Sequence, residues 1–370
     1  MNLEDLGYNQ YFETSRQQLG WGGFGVARVI AEYKEAYKIL NANGEYLAKI
    51  TGKQMFEAGS REDYPAVGDW VAMTDLGNAQ AVIHGVLPRA TIIKRKSGDK
   101  NKFGKKSDIQ IIATNIDIAF IVESVDRDYN LNRFERYFAL VQDGGVKPAI
   151  VLNKTDLLTT EERAKIVEEL NCRFPNTDII LTSIIEEQGL DELKKHIAKS
   201  KTYCFLGSSG VGKSSLINKL LQREEIRTGE IGLQTGRGKH TTTARQMYFL
   251  SALSAGEGNG GIVIDNPGMR EVGLLDAKAG IDLVFDEIAL LAKECRYADC
   301  THINESGCAV LAAVEHGLLN KDKYSNFLRL EKERQYYSMD EMEKHGKDKK
   351  FGKFLKNTKK QLKDLGHKGF

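Results

Sequence analysis

Residues 207–214 read GSSGVGKS and match the whole phosphate-loop pattern G-x-x-x-x-G-K-[ST]. The apolar run YCFL (203–206) precedes them, and the helix-like run SLINKLL (215–221) follows. A loop between a strand and a helix suits phosphate binding, because its glycines let backbone N–H groups turn inward and the helix N-terminus favours an anion. A chance match is expected in only about one chain of this length in a hundred. The stretch therefore predicts an α/β nucleotide-binding fold.

The side chains of this phosphate-binding loop have separable roles. Lys213 is expected to reach the β- and γ-phosphates, and the Ser214 hydroxyl is expected to ligate Mg²⁺. Mg²⁺ is therefore the cofactor expected with the nucleotide. The loop residues predicted to bind the nucleotide are Gly207, Ser208, Ser209, Gly210, Val211, Gly212, Lys213, Ser214 and Ser215.

Residues 153–156 read NKTD and directly follow the strand-like run AIVL. The Asp156 carboxylate can accept hydrogen bonds from both N1–H and the exocyclic amine of guanine, a donor pair that adenine lacks. Asn153 is expected to orient the loop, the Lys154 stem to cover one face of the base, and Thr155 to complete the set. NKxD alone is an ordinary loop sequence, but beside a phosphate-binding loop it predicts a guanine site.

Residues 265–268 read DNPG after the strand-like run GIVI. Asp265 at a strand end can hold Mg²⁺ through water, and the Gly268 N–H can contact the γ-phosphate. Ordinary GTPases place the phosphate loop first and NKxD last. Here NKxD comes first, the phosphate loop second and DxPG third. The chain therefore has a complete set of GTPase motifs in circularly permuted order.

The regions around these motifs differ in their sequence patterns. Residues 108–275 alternate apolar strands with helical patterns, which predicts a largely parallel sheet. Residues 1–107 carry short alternating runs, with a hairpin turn expected at Asn43-Gly44, and predict a small β-barrel. An OB barrel, a sandwich and an SH3-like barrel all fit that periodicity. Residues 276–370 have helical patterns and no convincing strand.

Charge is balanced overall but unevenly distributed. The chain has 370 residues, 53 basic and 51 acidic, with 28% charged and 41% hydrophobic, which excludes disorder, collagen and a disulfide scaffold. Residues 89–107 and 344–370 carry local charges of about +7 and +8. They are either RNA-binding segments or solvated surface. The N-terminal sequence is not a secretory signal and no stretch is long and apolar enough to span a bilayer, so a cytoplasmic location is expected.

Three of the five cysteines lie close together with a histidine, in the pattern C-x4-C-x-H-x5-C. Three thiolates and one imidazole suit tetrahedral Zn²⁺ with no open coordination position, so a structural zinc site is predicted. The alternative is a group of buried cysteines with an unrelated histidine. The predicted zinc ligands are Cys295, Cys300, His302 and Cys308.

The chain resembles, over nearly its full length, the RsgA family, also called YjeQ or YloQ, of ribosome-small-subunit-dependent GTPases. The resemblance rests on ATNID (113–117), LNRFERY (131–137), NKTDLL, GSSGVGKSSLIN, GRGKHTTTA (236–244), DNPG and VGDWV (67–71). It implies a circularly permuted α/β P-loop GTPase domain (108–275). It also implies an N-terminal OB-type RNA-binding barrel with a basic linker (1–107), and a C-terminal helical zinc-binding domain with a basic tail (276–370).

The resemblance also implies roles for further residues. Residues 236–244 correspond to switch I, where one of three threonines, for which we favour Thr242, is expected to ligate Mg²⁺. Ser183 belongs to the element that backs the guanine. Met269 stands where Ras-type GTPases have a water-orienting glutamine, so another group must act there. His240 is the candidate catalytic residue, the alternative being contact with RNA or solvent only.

The expected function is GTP hydrolysis during late maturation of the 30S subunit. The expected partners are that subunit with its 16S rRNA, and GTP or GDP, with no membrane and a monomeric chain. Trp70 of the barrel either stacks on RNA bases or packs in the core. A GTPase that assembles the large subunit is one alternative function. An RNA-binding adaptor with incidental turnover is the other.

Overall fold

The computed structural model describes residues 1–34, 36–96, 109–126, 129–222, 226, 245–250, 260–266, 273, 277–339 and 343. The chain divides into two compact units. The first consists of Met1–Gly273 with Ala279–Asp286, and the second of Leu274–Lys278 with Glu287–Phe370.

A closed five-stranded barrel forms the N-terminal part of the first unit. Its strands are β1 (Gly25–Glu32), β2 (Tyr37–Asn41), β3 (Gly44–Ile50), β4 (Trp70–Gly77) and β5 (Gln80–Val86). Their order is β1-β2-β3-β5-β4, and β4 pairs back onto β1 to close the ring. Strands β3 and β5 are parallel and the other pairs are antiparallel. This arrangement fits the OB fold, and of the three β architectures that the periodicity allowed, it is the one formed.

The barrel core follows from alternation along its strands. On β3, Tyr46 and Ala48 are buried while Leu47 and Lys49 are exposed. The β2–β3 hairpin is confirmed, but Asn41 pairs with Gly44, so its two loop residues are Ala42-Asn43 rather than Asn43-Gly44. A short helix, α2 (Gly52–Glu57), leads from β3 towards β4.

Helix α1 (Gln10–Gln18) precedes the barrel and packs against one of its ends. Trp70 is fully buried there, with its ring centroid 4.8 Å from that of Tyr8 and 5.9 Å from that of Phe12. The Arg28 guanidinium lies over the same indole and donates hydrogen bonds to three backbone carbonyls. Of the two interpretations of Trp70, core packing is therefore correct.

The second part of the first unit is an α/β sheet in the order β10-β9-β8-β11-β13-β12. Its strands are β8 (Ile118–Ser124), β9 (Lys147–Asn153), β10 (Ile179–Thr182), β11 (Thr202–Leu206), β12 (Gln246–Phe249) and β13 (Ile262–Asp265). Its helices are α3 (Leu131–Asp143), α4 (Thr160–Arg173), α5 (Leu190–Lys195) and α6 (Lys213–Leu221). Only β12 runs antiparallel to its neighbour in this part of the sheet. The predicted alternation and the largely parallel sheet are confirmed.

The barrel and the α/β sheet are hydrogen-bonded to each other. Ala31 on β1 pairs with Gln246 on β12, which makes one continuous sheet of eleven strands. A separate antiparallel pair, β6 (Ile92–Lys96) with β7 (Ile109–Thr114), lies in sequence between the barrel and β8.

The remaining elements of the described residues are helices, joined by turns. Helices α7 (Lys278–Val284) and α8 (Asp286–Ala292) are followed by α9 (Ala309–Glu315) and α10 (Lys321–Ser338). Within residues 277–339 there is no strand, as the sequence predicted. Among the described residues, no helix has the length and apolar character needed to cross a bilayer.

Candidate functional site: a nucleotide site and a cysteine–histidine cluster

The parallel strands bring all three nucleotide motifs to one edge of the sheet. Asn153 is the last residue of β9, Gly207 follows β11, and Asp265 is the last residue of β13. Strand β11 lies between β8 and β13, so the phosphate-binding loop occupies the centre of that edge. Ligands of open α/β sheets bind at the carboxyl ends of the strands, where these residues lie.

Two glycines of the phosphate-binding loop are required by its backbone. Gly207 and Gly212 have φ of +149° and +100°. A Cβ on Gly207 would lie 2.1 Å from the Val122 carbonyl oxygen, and one on Gly212 would lie 2.3 Å from Nδ2 of Asn153. A larger side chain would therefore displace either β8 or Asn153.

Lys213 begins α6 and is buried beneath the loop. Its Nζ donates hydrogen bonds to the carbonyl oxygens of Gly207 at 2.9 Å and Ser208 at 2.6 Å. Burial lowers the pKa of Lys213 to about 8, while the carboxylates of Asp265 and Glu123 oppose that shift. The ammonium is thus held inside the curve of the loop, where phosphate oxygens would bind.

Ser214 and Asp265 form the side of the site that suits a hard cation. The Ser214 hydroxyl lies 3.4 Å from Oδ2 of Asp265, and Oδ1 of this buried carboxylate has no hydrogen-bond partner among the described residues. Burial raises the pKa of the Asp265 carboxyl, and Lys213 and Ser214 partly oppose the shift. Oxygen ligands with unused acceptor capacity fit Mg²⁺.

Asn153 links the NKTD loop to the phosphate-binding loop. Its Nδ2 donates to the Val211 carbonyl at 2.8 Å, and its Oδ1 accepts from Oγ1 of Thr182 at 3.0 Å. The side chain is buried, so both contacts lie in a low-dielectric environment. Asn153 therefore connects the NKTD loop directly to the phosphate-binding loop.

The other three NKTD residues are also held in place. Lys154 has φ of +62°, and its Nζ lies 2.7 Å from Oδ2 of Asp126. The Thr155 hydroxyl donates to the Thr182 carbonyl at 3.1 Å.

The Asp156 carboxylate is held by a hydrogen bond from a neighbouring side chain. Its Oδ1 accepts from the Ser183 hydroxyl at 2.6 Å, and the Ser183 oxygen accepts from the Glu186 N–H. The structure thus brings Ser183, predicted from the resemblance alone, next to the Asp156 carboxylate.

Sequence reasoning missed a group of residues that supports the site from β8 and α3. Glu123 is fully buried near the end of β8, and its carboxylate pairs with Arg133 at 3.1 Å. Tyr137 on α3 is also buried. Asp126, which pairs with Lys154, accepts from the Ser124 hydroxyl at 2.7 Å. One signal was available, since Glu123 is a charged residue inside the apolar run IAFIVES.

Several predicted residues lie outside the described residues. They are Gly268, Met269, His240, Thr242 and the rest of residues 236–244. Most of the two basic segments, residues 97–107 and 344–370, also lies outside.

The part of residues 89–107 that the structure describes is engaged inside the first unit. The Arg89 guanidinium bonds both oxygens of the buried Asp69 carboxylate at 2.8 Å. Lys94 pairs with Glu62 at 3.0 Å. These two cations therefore stabilise the fold rather than lying free for an anionic partner.

The predicted metal ligands lie together in the second unit. The ligand atoms of Cys295, Cys300, His302 and Cys308 are all within 4.8 Å of one another. Nδ1 of His302 lies 3.6 Å from the Cys295 sulfur and 3.5 Å from the Cys308 sulfur. No cysteine of the described set forms a disulfide. Three thiols and one imidazole converging on a point fit a tetrahedral zinc site.

The polypeptide around this cluster is fixed by further contacts. His302 has φ of +60°, and the Tyr324 hydroxyl donates to its carbonyl at 2.5 Å. The Glu305 carboxylate accepts from the N–H groups of Thr301, Ile303 and Asn304. Hydrogen bonds of this kind orient ligands before a metal binds.

A phosphate-binding loop after the central strand, with NKxD at the end of a strand two positions away in the sheet and earlier in the sequence, defines a circularly permuted P-loop GTPase. The family model described as "RsgA GTPase" matches residues 86–275. The chain belongs to the RsgA GTPase family, and it is a GTPase.

Individual relatives agree with this assignment. The chain is 37% identical over 361 residues to "Small ribosomal subunit biogenesis GTPase RsgA 1" of Bacteroides thetaiotaomicron, covering 97% of each protein. It is 38% identical over 316 residues to "Small ribosomal subunit biogenesis GTPase RsgA 2" of Lactiplantibacillus plantarum, covering 85% of each.

Two solved structures share the fold. YjeQ from Thermotoga maritima superposes with a TM-score of 0.60 at 24% identity, covering 84% of this chain and 98% of that one. The structure described as YloQ, a circularly permuted GTPase, gives a TM-score of 0.57 at 19% identity, covering 86% and 97%. These similarities confirm the permuted fold class with its N-terminal barrel.

Proposed function

We propose that this GTPase acts in late maturation of the small ribosomal subunit, binding the particle in its GTP form and leaving it after hydrolysis. The observation that carries the proposal is the 37% identity along almost the whole chain to a protein named for small-subunit biogenesis. The assembled guanine and phosphate elements at one sheet edge support it.

The nucleotide is proposed to lie along that edge. Asp156 reads guanine, Ser183 orients its carboxylate, and the Lys154 stem covers the base. Backbone N–H groups of residues 207–215 surround the phosphates, and Lys213 neutralises their charge. The Gly268 N–H would contact the γ-phosphate.

Ser214, Asp265 and Thr242 are the residues proposed to hold Mg²⁺, the last of them a choice among Thr241, Thr242 and Thr243. Mg²⁺ supplies charge neutralisation at the β- and γ-phosphates. Ser214 and Asp265 are close enough to share it, and Oδ1 of Asp265 has acceptor capacity left.

His240 is proposed to position the attacking water, since Met269 has no group that does so. The slow hydrolysis expected of such a site would then be accelerated by the ribosomal subunit. His240→Ala should lose most of the stimulated rate and keep its GTP affinity.

The cysteine cluster is proposed to hold one structural Zn²⁺. Three thiolates and one imidazole would fill the four positions of tetrahedral Zn²⁺. The four ligand atoms converge, and hydrogen bonds fix the surrounding turn. Zinc would tie together the loops of residues 295–308.

We propose three domains, which comprise residues 1–107, 108–275 and 276–370. The barrel and the basic segments would contact 16S rRNA. Because Arg89 and Lys94 are paired internally, the phosphate contacts are assigned to residues 97–107 and 344–370. We also propose that the protein is a monomer and acts in the cytoplasm.

Two other functions remain as alternatives to this proposal. In the first, the same GTPase serves the large subunit. In the second, the protein is an RNA-binding adaptor whose turnover is incidental. The cysteine cluster and the OB barrel favour the small-subunit function, because large-subunit permuted GTPases lack them as far as the resemblance shows.

Sedimentation with purified subunits tests the proposal. The protein bound to a non-hydrolysable GTP analogue should pellet with 30S particles, and the GDP form should remain in the supernatant. Equal pelleting with 50S particles, or no difference between the nucleotides, would contradict it.

A further inference from the structure

Strand β8 lies between the strand that ends in the guanine motif and the strand that leads into the phosphate-binding loop. The sheet order is β9-β8-β11, so the carboxyl end of β8 separates NKTD from residues 207–214. Ser124, the last residue of β8, is in register with Asn153, and the Val125 N–H donates to the Asn153 carbonyl at 3.2 Å. The next residue, Asp126, is therefore placed beside the NKTD loop, although it belongs to none of the nucleotide motifs.

The Asp126 carboxylate joins the end of β8 to the lysine of the NKTD motif. Nζ of Lys154 donates to Oδ2 of Asp126 at 2.7 Å, and the two side chains are 27% and 32% exposed. Oδ1 of the same carboxylate accepts from the hydroxyl of the buried Ser124 at 2.7 Å. One oxygen of the carboxylate is thus fixed to the sheet, and the other holds the ammonium.

This ion pair gives the Lys154 side chain a defined direction. The residue has φ of +62°, in the left-handed region that is uncommon for residues other than glycine. A lysine side chain has four rotatable bonds and loses much rotamer freedom when it is fixed. An ion pair that holds the ammonium keeps the stem in one direction, so less freedom is lost when a base packs against it.

The base-reading carboxylate is held in a similar way. Asp156 accepts from the hydroxyl of the fully buried Ser183 at 2.6 Å, at the end of β10. Each of the two side chains that the proposed function places against guanine, Lys154 and Asp156, is therefore held by a contact from the end of a neighbouring strand.

We propose that Asp126 is a positioning residue for guanine binding: its carboxylate holds the Lys154 ammonium so that the lysine stem covers one face of the base. The inference rests on the proposed role of NKTD as the guanine site. It adds the end of β8 to the three nucleotide motifs.

Asp126→Ala tests the proposal, because two explanations predict opposite signs. Removing a negative charge near an anionic nucleotide would, through charge alone, tighten the binding of GDP and GTP. Losing the contact with Lys154 should weaken both nucleotides, because the stem is no longer held. Partly exposed ion pairs of this kind correspond to about a threefold change in affinity. We expect Kd values for GDP and GTP, and KM for GTP, to rise about threefold, with kcat at saturating GTP within about twofold of wild type.

Asp178→Ala is the matched control. Asp178 pairs with Lys147 at 3.1 Å, and this pair is also partly exposed. Lys147 is the first residue of β9 and Lys154 follows its last, so the control pair lies at the opposite end of the same strand. The control loses the same charge and the same kind of ion pair, and it should bind GDP and GTP like wild type.

A double-mutant cycle with Lys154→Met tests the route through the lysine. Methionine keeps an apolar stem and has no ammonium for Asp126 to hold, so adding Asp126→Ala should weaken neither nucleotide further. Tighter or unchanged binding in Asp126→Ala, a full threefold loss on top of Lys154→Met, or a loss in kcat alone would each overturn the proposal. If Asp156→Asn kept the wild-type base preference, the guanine site itself would be refuted instead.

Discussion

Replacing Asp156 by asparagine should shift the base preference from guanine towards xanthine. The carboxylate accepts from the Ser183 hydroxyl at 2.6 Å through Oδ1. Its second oxygen, with further lone pairs on Oδ1, remains for the N1–H and the exocyclic amine of guanine. The amide of the Asp156→Asn variant would turn an N–H donor towards one of these two guanine donors, so that hydrogen bond would be lost.

The size of the effect follows from this mismatch. A hydrogen bond lost at a charged acceptor in a polar site costs on the order of 1–3 kcal/mol, which corresponds to a loss of about fivefold to 150-fold in GTP affinity. Xanthine has a carbonyl where guanine has the amine, so xanthosine triphosphate should bind the variant more tightly than it binds wild type. Because the variant keeps a partner for Ser183, the fold should be unaffected.

Competition titrations with a fluorescent nucleotide measure these affinities. Asp178→Asn is the matched control, since Asp178 lies just before β10, is partly exposed and pairs with Lys147 at 3.1 Å. The control should bind GTP like wild type. Equal affinity of the wild type for ATP and GTP, or an Asp156→Asn variant that still prefers GTP by the wild-type ratio, would refute the base-reading role.

Three further predictions address the rest of the chain. Lys213→Ala and Ser214→Ala should each abolish GTP hydrolysis in a phosphate-release assay while circular dichroism shows an intact fold; wild-type turnover in either would exclude the loop from the mechanism. Metal analysis should find about one zinc per chain, and chelation or Cys300→Ala should increase hydrogen exchange in residues 277–339 with GTP affinity unchanged; a zinc-free protein whose native cysteines are all modifiable would refute the zinc site. Asp69→Asn should destabilise the first unit by about 3–5 kcal/mol in denaturant unfolding, because it leaves the Arg89 guanidinium without its buried partner; a loss below about 1 kcal/mol would show that this ion pair is dispensable.

The elements predicted from sequence are those whose signal is local. The phosphate-binding loop, NKTD and DNPG are contiguous patterns next to apolar strands. Each motif begins at, or directly after, the last residue of a strand, as expected. The four predicted zinc ligands lie within fourteen residues, so their spacing in the sequence was enough to indicate a cluster, and the structure brings their ligand atoms together.

Contacts between distant residues could not be predicted in the same way. Asn153 is separated by 58 residues from Val211, whose carbonyl it contacts. The sequence predicted that Asn153 orients the NKTD loop, but it did not indicate which group the side chain contacts. Tyr137 was missed because a tyrosine on a helix is an ordinary core residue. Glu123 stood out only as a charged residue in an apolar run, and its partner Arg133 was not evident from the sequence.

Two helices were missed because their apolar pattern is weak. Helix α10 buries only Lys323, Asn326 and Leu330 along its 18 residues. Helix α1 buries only Phe12 and Ser15. Such helices depend on capping and tertiary packing more than on an apolar stripe, and here Asn9 and Asn320 provide the N-caps.

Turnover of GTP with purified ribosomal subunits tests the central claim most directly. Under single-turnover conditions, the protein alone should hydrolyse GTP slowly, and saturating 30S subunits should accelerate hydrolysis strongly. The acceleration should fall as salt is raised, because contacts with RNA phosphates release counterions. Stimulation by 50S but not by 30S subunits would contradict the small-subunit function, and an unchanged rate with both would favour an adaptor with incidental turnover.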